Sequence, residues 1–193
     1  MMTSMQVLML EPPPGFLEER ARLGHDSRDE VWDGVLHMAP QPTTTHQGFG
    51  TDLIPILLQL ARPRGWRVFY ELSVFEPSKG EKNYRVPDLI VADPQYLSKR
   101  GVEGRAELVI ETLSPNDESR KKFAFYAARQ VQEIWIVDPD ARTVEVYVLR
   151  GDTYFTVAPD RDGTVRAPVL GLELSTIAGP MLHLAWRDGS ADV

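Results

Sequence analysis

The sequence predicts a mixed α/β fold, an α+β arrangement in which one mixed sheet carries helices on its faces, and three observations support it. AELVIETL, a helix-start segment and EIWIVD read in succession as strand, helix and strand, a crossover that sets two parallel strands side by side. Antiparallel signals flank this unit: EVWDGVLHM alternates around Asp33-Gly34 on one side, and EIWIVDPDARTVEVYVLRGDTYFTV forms a meander on the other. The chain has 193 residues, 42% hydrophobic and 25% charged, which fits one globular domain with its own core.

Taken in order, Pro12 to Pro14 make residues 1–16 an N-terminal arm and leave 17–193 as a single domain. After an acidic, Arg-containing segment around Leu17 to Arg22, the Asp33-Gly34 pair closes a tight β-hairpin. The TTTH stretch offers an N-cap to a helix from His46 to Ala61, with Leu53, Ile56, Leu57 and Leu60 at helical spacing, and Pro63 and Gly65 stop it. WRVFYELSVFEP and RVPDLIVADP read as strands joined by a KGEKN turn. The apolar run Leu108 to Ile110 in AELVIETL asks for burial on both faces, as in the middle of a sheet.

Pro115, Asn116, Asp117 and Glu118 supply helix-start chemistry, and that helix is expected to reach Arg129. The C-terminal β-meander turns at Asp138 to Ala141 and at Gly151-Asp152, and LGLELSTIAG closes the chain with a short strand and turn. The expected sheet core is Leu89, Val91, Val109, Ile134, Ile136, Val144 and Val146.

Composition removes several function classes. With no cysteine, disulfides, thiolate zinc sites and a cysteine nucleophile are excluded together. Four histidines without HExxH spacing argue against a histidine-held zinc, so any metal is a hard cation on oxygen ligands. A net charge of -7 and a pI near 5.1 speak against coating nucleic acid by bulk attraction, but not against gripping it locally. Arg62, Arg64 and Arg67 cluster, as do Lys99, Arg100 and Arg105, and Arg120 to Lys122. The longest apolar window, LIPILLQLA, is too short to span a membrane, and the first residues lack a basic n-region, so no membrane association and a cytoplasmic location are expected.

Against this background three polar residues stand out: Asp88 in YRVPDLIVADP, Glu111 in AELVIETLSPND and Lys122 in RKKFAFYAA. A carboxylate inside a buried strand costs several kcal/mol unless it is paired or coordinated. Pro87 holds the residue before it extended and places Asp88 at a strand start or bulge. Glu111 shares a strand face with Val109 and Leu113, so if the two strands pair, both acids meet at one edge. Two such acids repel unless a cation or proton lies between them, and a hard divalent ion answers that need. Lys122, on one helix face with Glu118 and Tyr126, can turn back toward them. A metal, acids to hold it and a lysine to orient water make a phosphodiester-hydrolysing site.

The series VPDLIVADP, AELVIETLSPND and KKFAFYAARQVQEIWIVDPDARTVEVYVL, with the EVWDGVLHMAP hairpin, the His46-Gln47 pair and the terminal VLGLEL, resembles the Uma-type restriction endonuclease family, a branch of the PD-(D/E)xK nuclease superfamily. The resemblance implies a restriction endonuclease-like core and a metal-dependent endonuclease that hydrolyses DNA. It implies Asp88 and Glu111 as Mg²⁺ ligands, with the main-chain carbonyl of Thr112 as a further one and Mn²⁺ as a substitute ion. The superfamily lysine two residues after the second acid is here Leu113, and the family's lysine on the next helix matches Lys122. Glu118 matches the acid one turn before that lysine. Glu30 and His46 match polar positions in the family's first elements, and Glu71 in FYELSVF can lean into the site from a neighbouring strand. Cleavage of both strands by a single-site domain further implies a homodimer.

Plainer readings stand beside these. Glu111 could be a structural acid paired with Lys122 or Arg129, Ser114 and Asn116 a turn and cap, and Trp135, Tyr147 and Tyr154 sheet packing or a dimer face. Two alternative functions remain: an inactive nuclease-fold module for binding or dimerisation, and a hydrolase of a smaller phosphodiester.

Overall fold

A six-stranded sheet organises the chain in a computed structural model that describes residues 7–39, 41–114 and 117–193. In chain order the elements are β1 (Val7–Met9), α1 (Phe16–Arg22), β2 (Glu30–Trp32), β3 (Val35–Met38), α2 (Thr44–Ala61), β4 (Arg67–Tyr70), β5 (Val74–Glu76), β6 (Gly80–Arg85), β7 (Leu89–Ala92) and β8 (Leu108–Thr112). There follow α3 (Phe123–Ala128), β9 (Glu133–Asp138), β10 (Thr143–Arg150), β11 (Thr153–Thr156), β12 (Val165–Ala167), β13 (Leu172–Ile177), β14 (Met181–Trp186) and β15 (Gly189–Asp192). The central sheet runs β11-β10-β9-β8-β7-β4, with β8 and β9 parallel and its other neighbours antiparallel. The mixed sheet therefore arises where the crossover around Glu111 predicts it.

Each face of this sheet builds its own core. One packs Leu89, Val91, Leu108, Ile110 and Trp135 beneath Phe49, Leu53 and Leu57 of α2 and beneath Leu172, Leu174, Leu182 and Leu184 of the C-terminal strands. The other packs Ile90, Val109, Ile134 and Ile136 against Val74, Val102, Ala106 and Tyr126. Strands β7 and β8 are buried at every position, which explains their unbroken apolar runs. Each fully buried Leu or Ile contributes about 1.5–3 kcal/mol. All the expected core residues are buried except Val144, which is only partly so.

The hairpin forms as the Asp33-Gly34 pair predicts: both residues take positive φ, 48° and 90°, the signature of a type I′ turn. Helix α2 starts two residues earlier than expected, at Thr44, because Thr43 acts as N-cap and its side chain accepts from the His46 N–H.

Other expectations are corrected. WRVFYELSVFEP is two strands in two sheets, since Glu71 takes φ 48° and throws the chain from β4 toward β5. RVPDLIVADP divides in the same way, with β6 and β7 on either side of Val86 to Asp88, and most of the expected KGEKN turn is β6 itself. Together β1-β3-β2-β6-β5 make a second sheet, so Val7–Met9 of the expected arm pair along an edge. The helix after Glu111 opens as a 3-10 turn at Ser119–Lys122 before six residues of α3, and Pro115 and Asn116 lie outside the described residues. The C-terminal segment is a full four-stranded sheet, β12-β13-β14-β15, rather than one strand and a turn. Its Leu172, Leu174, Leu182 and Leu184 point inward at alternate positions.

Candidate active site at the end of the central sheet

Register sets the site. Leu89 stands opposite Ile110 and Val91 opposite Leu108, so one step further Asp88 faces Glu111 on the same side of the sheet. The Glu71 N–H donates to the Asp88 carbonyl at 3.0 Å and continues the ladder into β4. Because Pro87 has no N–H and Val86 N–H is drawn to Glu30 Oε1 at 2.9 Å, the chain leaves the second sheet here and delivers Asp88 to the strand end.

Asp88 is fixed from two sides. Its Oδ2 accepts the Thr112 N–H at 2.6 Å and lies 3.3 Å from His46 Nε2. His46 is placed by the capped first turn of α2. Thr112 turns its N–H away from β9, whereas the Leu113 N–H donates to Val137 on β9, so the Thr112 carbonyl also faces the Asp88 side.

Glu111 is met by Lys122, whose Nζ lies 3.1 and 3.0 Å from its two oxygens, and by the Tyr126 hydroxyl, which donates to Oε1 at 2.5 Å. Lys122 Nζ also reaches Glu30 Oε1 at 2.8 Å, while Glu30 Oε2 accepts from Trp32 Nε1 at 2.6 Å. Glu30, His46, Asp88, Glu111, Lys122 and Tyr126 are all buried.

Two acids, Glu30 and Glu111, contact the Lys122 ammonium with Asp88 near Glu111, and the proton affinities follow. Burial pushes the Glu111 carboxyl up, to about 8; Asp88 and Glu30 push the same way, against the Lys122 charge and the Tyr126 hydrogen bond. Burial also works against charge on Asp88, but hydrogen bonds from His46 and the Thr112 N–H, with the charge of Lys122, hold it below the usual carboxylate range. Burial opposes the charge of Lys122 too, yet Glu111 and Glu30 outweigh it and hold the ammonium above its ordinary range. Desolvation and the adjacent Glu111 likewise raise Tyr126 well above an ordinary phenol, so it stays a donor.

The structure thus brings together Asp88, Glu111, Lys122, Glu30 and His46, with Thr112 contributing main chain. Glu71 sits at the rim, paired with Arg28 at 2.7 Å. Glu118 does not join them: it pairs with Lys121 and approaches His37 Nδ1 at 3.8 Å. The face it was expected to share with Lys122 and Tyr126 is broken because the intervening turn is 3-10 rather than α. Arg129 takes no part in pairing Glu111, while Lys122 does. Two residues that pattern reading missed are Arg28, which sits in a loop with no periodicity to mark it, and Arg85, stacked between Trp32 and Phe125 at 4.5 and 4.3 Å.

Among the described residues no three His, Asp or Glu side chains converge as a ready metal cage. What the site offers is a pair of opposed carboxylates, Asp88 and Glu111, and a main-chain carbonyl beside them. That all-oxygen set with surplus negative charge fits Mg²⁺, which commonly takes one or two carboxylates and leaves its other positions to water and phosphate.

Comparisons with known proteins bear on the family and the fold. The family described as "Uma2: Putative restriction endonuclease" matches residues 16–178. The fold is similar to the crystal structure of a "putative nuclease belonging to DUF820" from Anabaena variabilis, at TM-score 0.59 and 22% identity over 80% of this chain and 89% of that one. No curated protein matches the sequence. With its mixed sheet and the family match over most of its length, the chain has a restriction endonuclease-like fold and belongs to the Uma2 family.

Proposed function

We propose that this protein is a Mg²⁺-dependent endonuclease that hydrolyses DNA phosphodiester bonds at the Asp88–Glu111 edge. One observation carries the reading: two carboxylates face each other across neighbouring strand ends, with the Lys122 ammonium 3.0 Å from one of them. Family membership and the fold support the same class of substrate.

In this reading Asp88, Glu111 and the Thr112 carbonyl hold the ion, and Mn²⁺ can replace it. The bound ion would polarise a phosphoryl oxygen and neutralise the charge that develops there. Lys122 keeps its proton, so it acts as a donor that orients the attacking water and the phosphate rather than as a base. Glu30 and Tyr126 hold Lys122 and Glu111 in position. Hydrolysis joins the water oxygen to phosphorus, breaks one ester P–O bond and passes a proton to the departing oxygen. Two copies would place one site on each strand of a duplex, so a homodimer belongs to the proposal.

The test is cleavage of supercoiled plasmid and of single-stranded DNA in Mg²⁺ or Mn²⁺ by the wild type, Asp88→Ala and Glu111→Ala. Hydrolysis by the wild type and its loss in both variants, each shown folded by circular dichroism, is the expected result. Hydrolysis that survives both substitutions undamaged would sink the reading. The contact of Lys122 with both Glu111 oxygens favours a second reading, a non-hydrolytic module closed by an internal ion pair. It predicts no metal uptake and no cleavage by the wild type.

A further inference from the structure

Between the β2–β3 hairpin, strands β5 and β6 with their turn, and α3 lies a cavity of about 370 Å³, within the range of small-ligand sites, roughly 300–1,000 Å³. Arg85, Arg129, Lys79 and Lys121 give it a cationic wall, and its acids are Asp33 and Glu76. Both acids are already met. Lys79 Nζ stands 2.7 Å from Asp33 Oδ1 and 3.5 Å from Glu76 Oε2, which also accepts from Asn83 Nδ2 at 2.6 Å. Lys121 pairs with Glu118. Arg85 and Arg129 form no ion pair among the described residues, and Arg129 acts on Glu76 only at longer range.

The Arg85 guanidinium is buried, and the rings of Trp32 and Phe125 fix its plane. Its Nη1 donates three times, to the Val31 and Tyr84 carbonyls at 2.9 and 3.0 Å and to Asn83 Oδ1 at 2.9 Å. The other edge, Nε with Nη2, makes no hydrogen bond among the described residues, and Nε is shut off from solvent. Arg129, just past the end of α3, repeats the pattern: its Nε is buried without an acceptor. A buried N–H without an acceptor carries its full desolvation cost, and here two arginines on one cavity wall incur it together. Burial also holds the Arg85 guanidinium below its ordinary range, although Glu30, Tyr126, Asp33 and Glu111 act the other way from a distance. The Trp32 ring is engaged by Arg85 and by His37, stacked on it at 4.1 Å, so it is not open to a base. Ala124 and Ala128 line the α3 side and are exposed, so short side chains keep that wall open.

We propose that this cavity binds a phosphate group, which takes the Nε–Nη2 edge of Arg85 and the guanidinium of Arg129, with the exposed Lys121 beside them. That edge of a planar guanidinium meets phosphate with two parallel N–H bonds, and the anion supplies the acceptors that both Nε atoms lack. Arg129 is only half-buried, so its side chain can turn to meet the ligand. The cavity adjoins the candidate active site without using its carboxylates. Trp32 Nε1 bonds Glu30, and Lys121 and Phe125 directly precede Lys122 and Tyr126. The phosphate group can therefore belong to a nucleic acid strand that passes both places or to a free phosphate-bearing molecule. The site needs no metal and does not rest on the nuclease reading.

The experiment titrates the full chain with inorganic phosphate and with a 5′-phosphorylated thymidine dinucleotide by calorimetry, in EDTA so that no divalent ion contributes. The wild type is expected to bind saturably, and Arg129→Gln to bind about 10-fold more weakly, one charge-assisted contact fewer. Arg129→Lys keeps the charge without the fork and loses less. Ala124→Leu keeps every charge but fills the open wall, and it weakens binding as much as Arg129→Gln. Arg187→Ala, which removes an exposed arginine of the β14–β15 turn, changes nothing. A dinucleotide that binds more tightly than inorganic phosphate, with the same dependence on Arg129, assigns the site to a nucleic acid strand. Equal binding assigns it to a free phosphate group.

Thermal melts establish that each variant is folded, and Arg129→Lys with Ala124→Leu decides the matter if Arg129→Gln does not fold. Binding unchanged in folded Arg129→Gln and Ala124→Leu would overturn the site. An equal loss in Arg187→Ala would overturn it too, by reducing the effect to bulk charge, as would a wild type that binds neither probe. Plasmid cleavage by the wild type in Mg²⁺, run alongside, reads the nuclease proposal separately. Cleavage without phosphate binding overturns this site alone, and phosphate binding that depends on Arg129 without cleavage supports the site while counting against the nuclease reading.

Discussion

Glu111 and Glu133 stand on the parallel neighbours β8 and β9, both buried, but on opposite faces of the sheet, and their surroundings differ in kind. Glu133 is met by two neutral donors: Oε1 accepts from Trp135 Nε1 at 2.7 Å and Oε2 from the Val169 N–H at 3.0 Å. Since Val169 lies between β12 and β13, this carboxyl ties the C-terminal sheet to the central one. Burial pushes it up to about 7, and no charged partner is needed. Glu111 instead faces Lys122, Tyr126 and two further acids at a strand end where the chain leaves the sheet. A buried acid alone therefore does not mark a functional site. Several acids gathered with charged partners at a strand end, in place of two neutral donors, are what separate the two.

The largest expected difference between them is chemical. Glu111→Gln should lower metal-dependent DNA hydrolysis on the order of 10³-fold, the several kcal/mol a metal ligand supplies, whereas Glu133→Gln should stay within a few-fold of wild type. Plasmid-nicking rates check this, and equal losses would erase the distinction.

Stability gives the next contrast. Lys122→Met leaves Glu30 and Glu111 buried without their cation, and urea unfolding should show a loss of about 3–5 kcal/mol. Glu133→Met leaves only two N–H groups unpaired and should cost less, about 1–3 kcal/mol.

Glu133 contributes one part of the pH dependence of stability, beside Glu111. Unfolded, its carboxyl releases its proton near 4.5, and folded near 7, so between those values the folded state binds the extra proton. Its stabilising contribution is complete below pH 4.5 and is lost as pH rises through 7, by up to about 3 kcal/mol. Glu133→Gln should flatten that decline in urea midpoints measured across the window. The smallest effect is that of Tyr126→Phe, which removes one hydrogen bond to Glu111 and should cost about 1.5 kcal/mol in the same unfolding assay, with the sheet otherwise intact.

What the sequence made legible tracks the physics of each element. Unbroken apolar runs marked β7 and β8, and an acid inside each run marked Asp88 and Glu111, because burial of charge is costly wherever it occurs. Register then followed from pairing those runs. The division of two long runs was hidden, since nothing in FYELSVF announces that Glu71 will adopt a left-handed backbone. Glu30 was undervalued because it lies 92 residues from Lys122 and arrives through a hairpin of the second sheet. Glu118 was overvalued by assuming α-helical spacing where a 3-10 turn stands. The C-terminal sheet is hard to read because its strands, such as MLHLAW, are buried only at alternate positions and carry no unbroken apolar run. Glu133 drew no attention because an acid opening a strand looks like an exposed end until the C-terminal sheet covers it.

The most direct measurement is calorimetric titration of Mn²⁺ into the wild type, Asp88→Asn and Glu133→Gln. The account predicts saturable uptake by the wild type and Glu133→Gln and its loss in Asp88→Asn. Uptake unchanged in Asp88→Asn, or no uptake by the wild type, would contradict a metal site at this edge of the sheet.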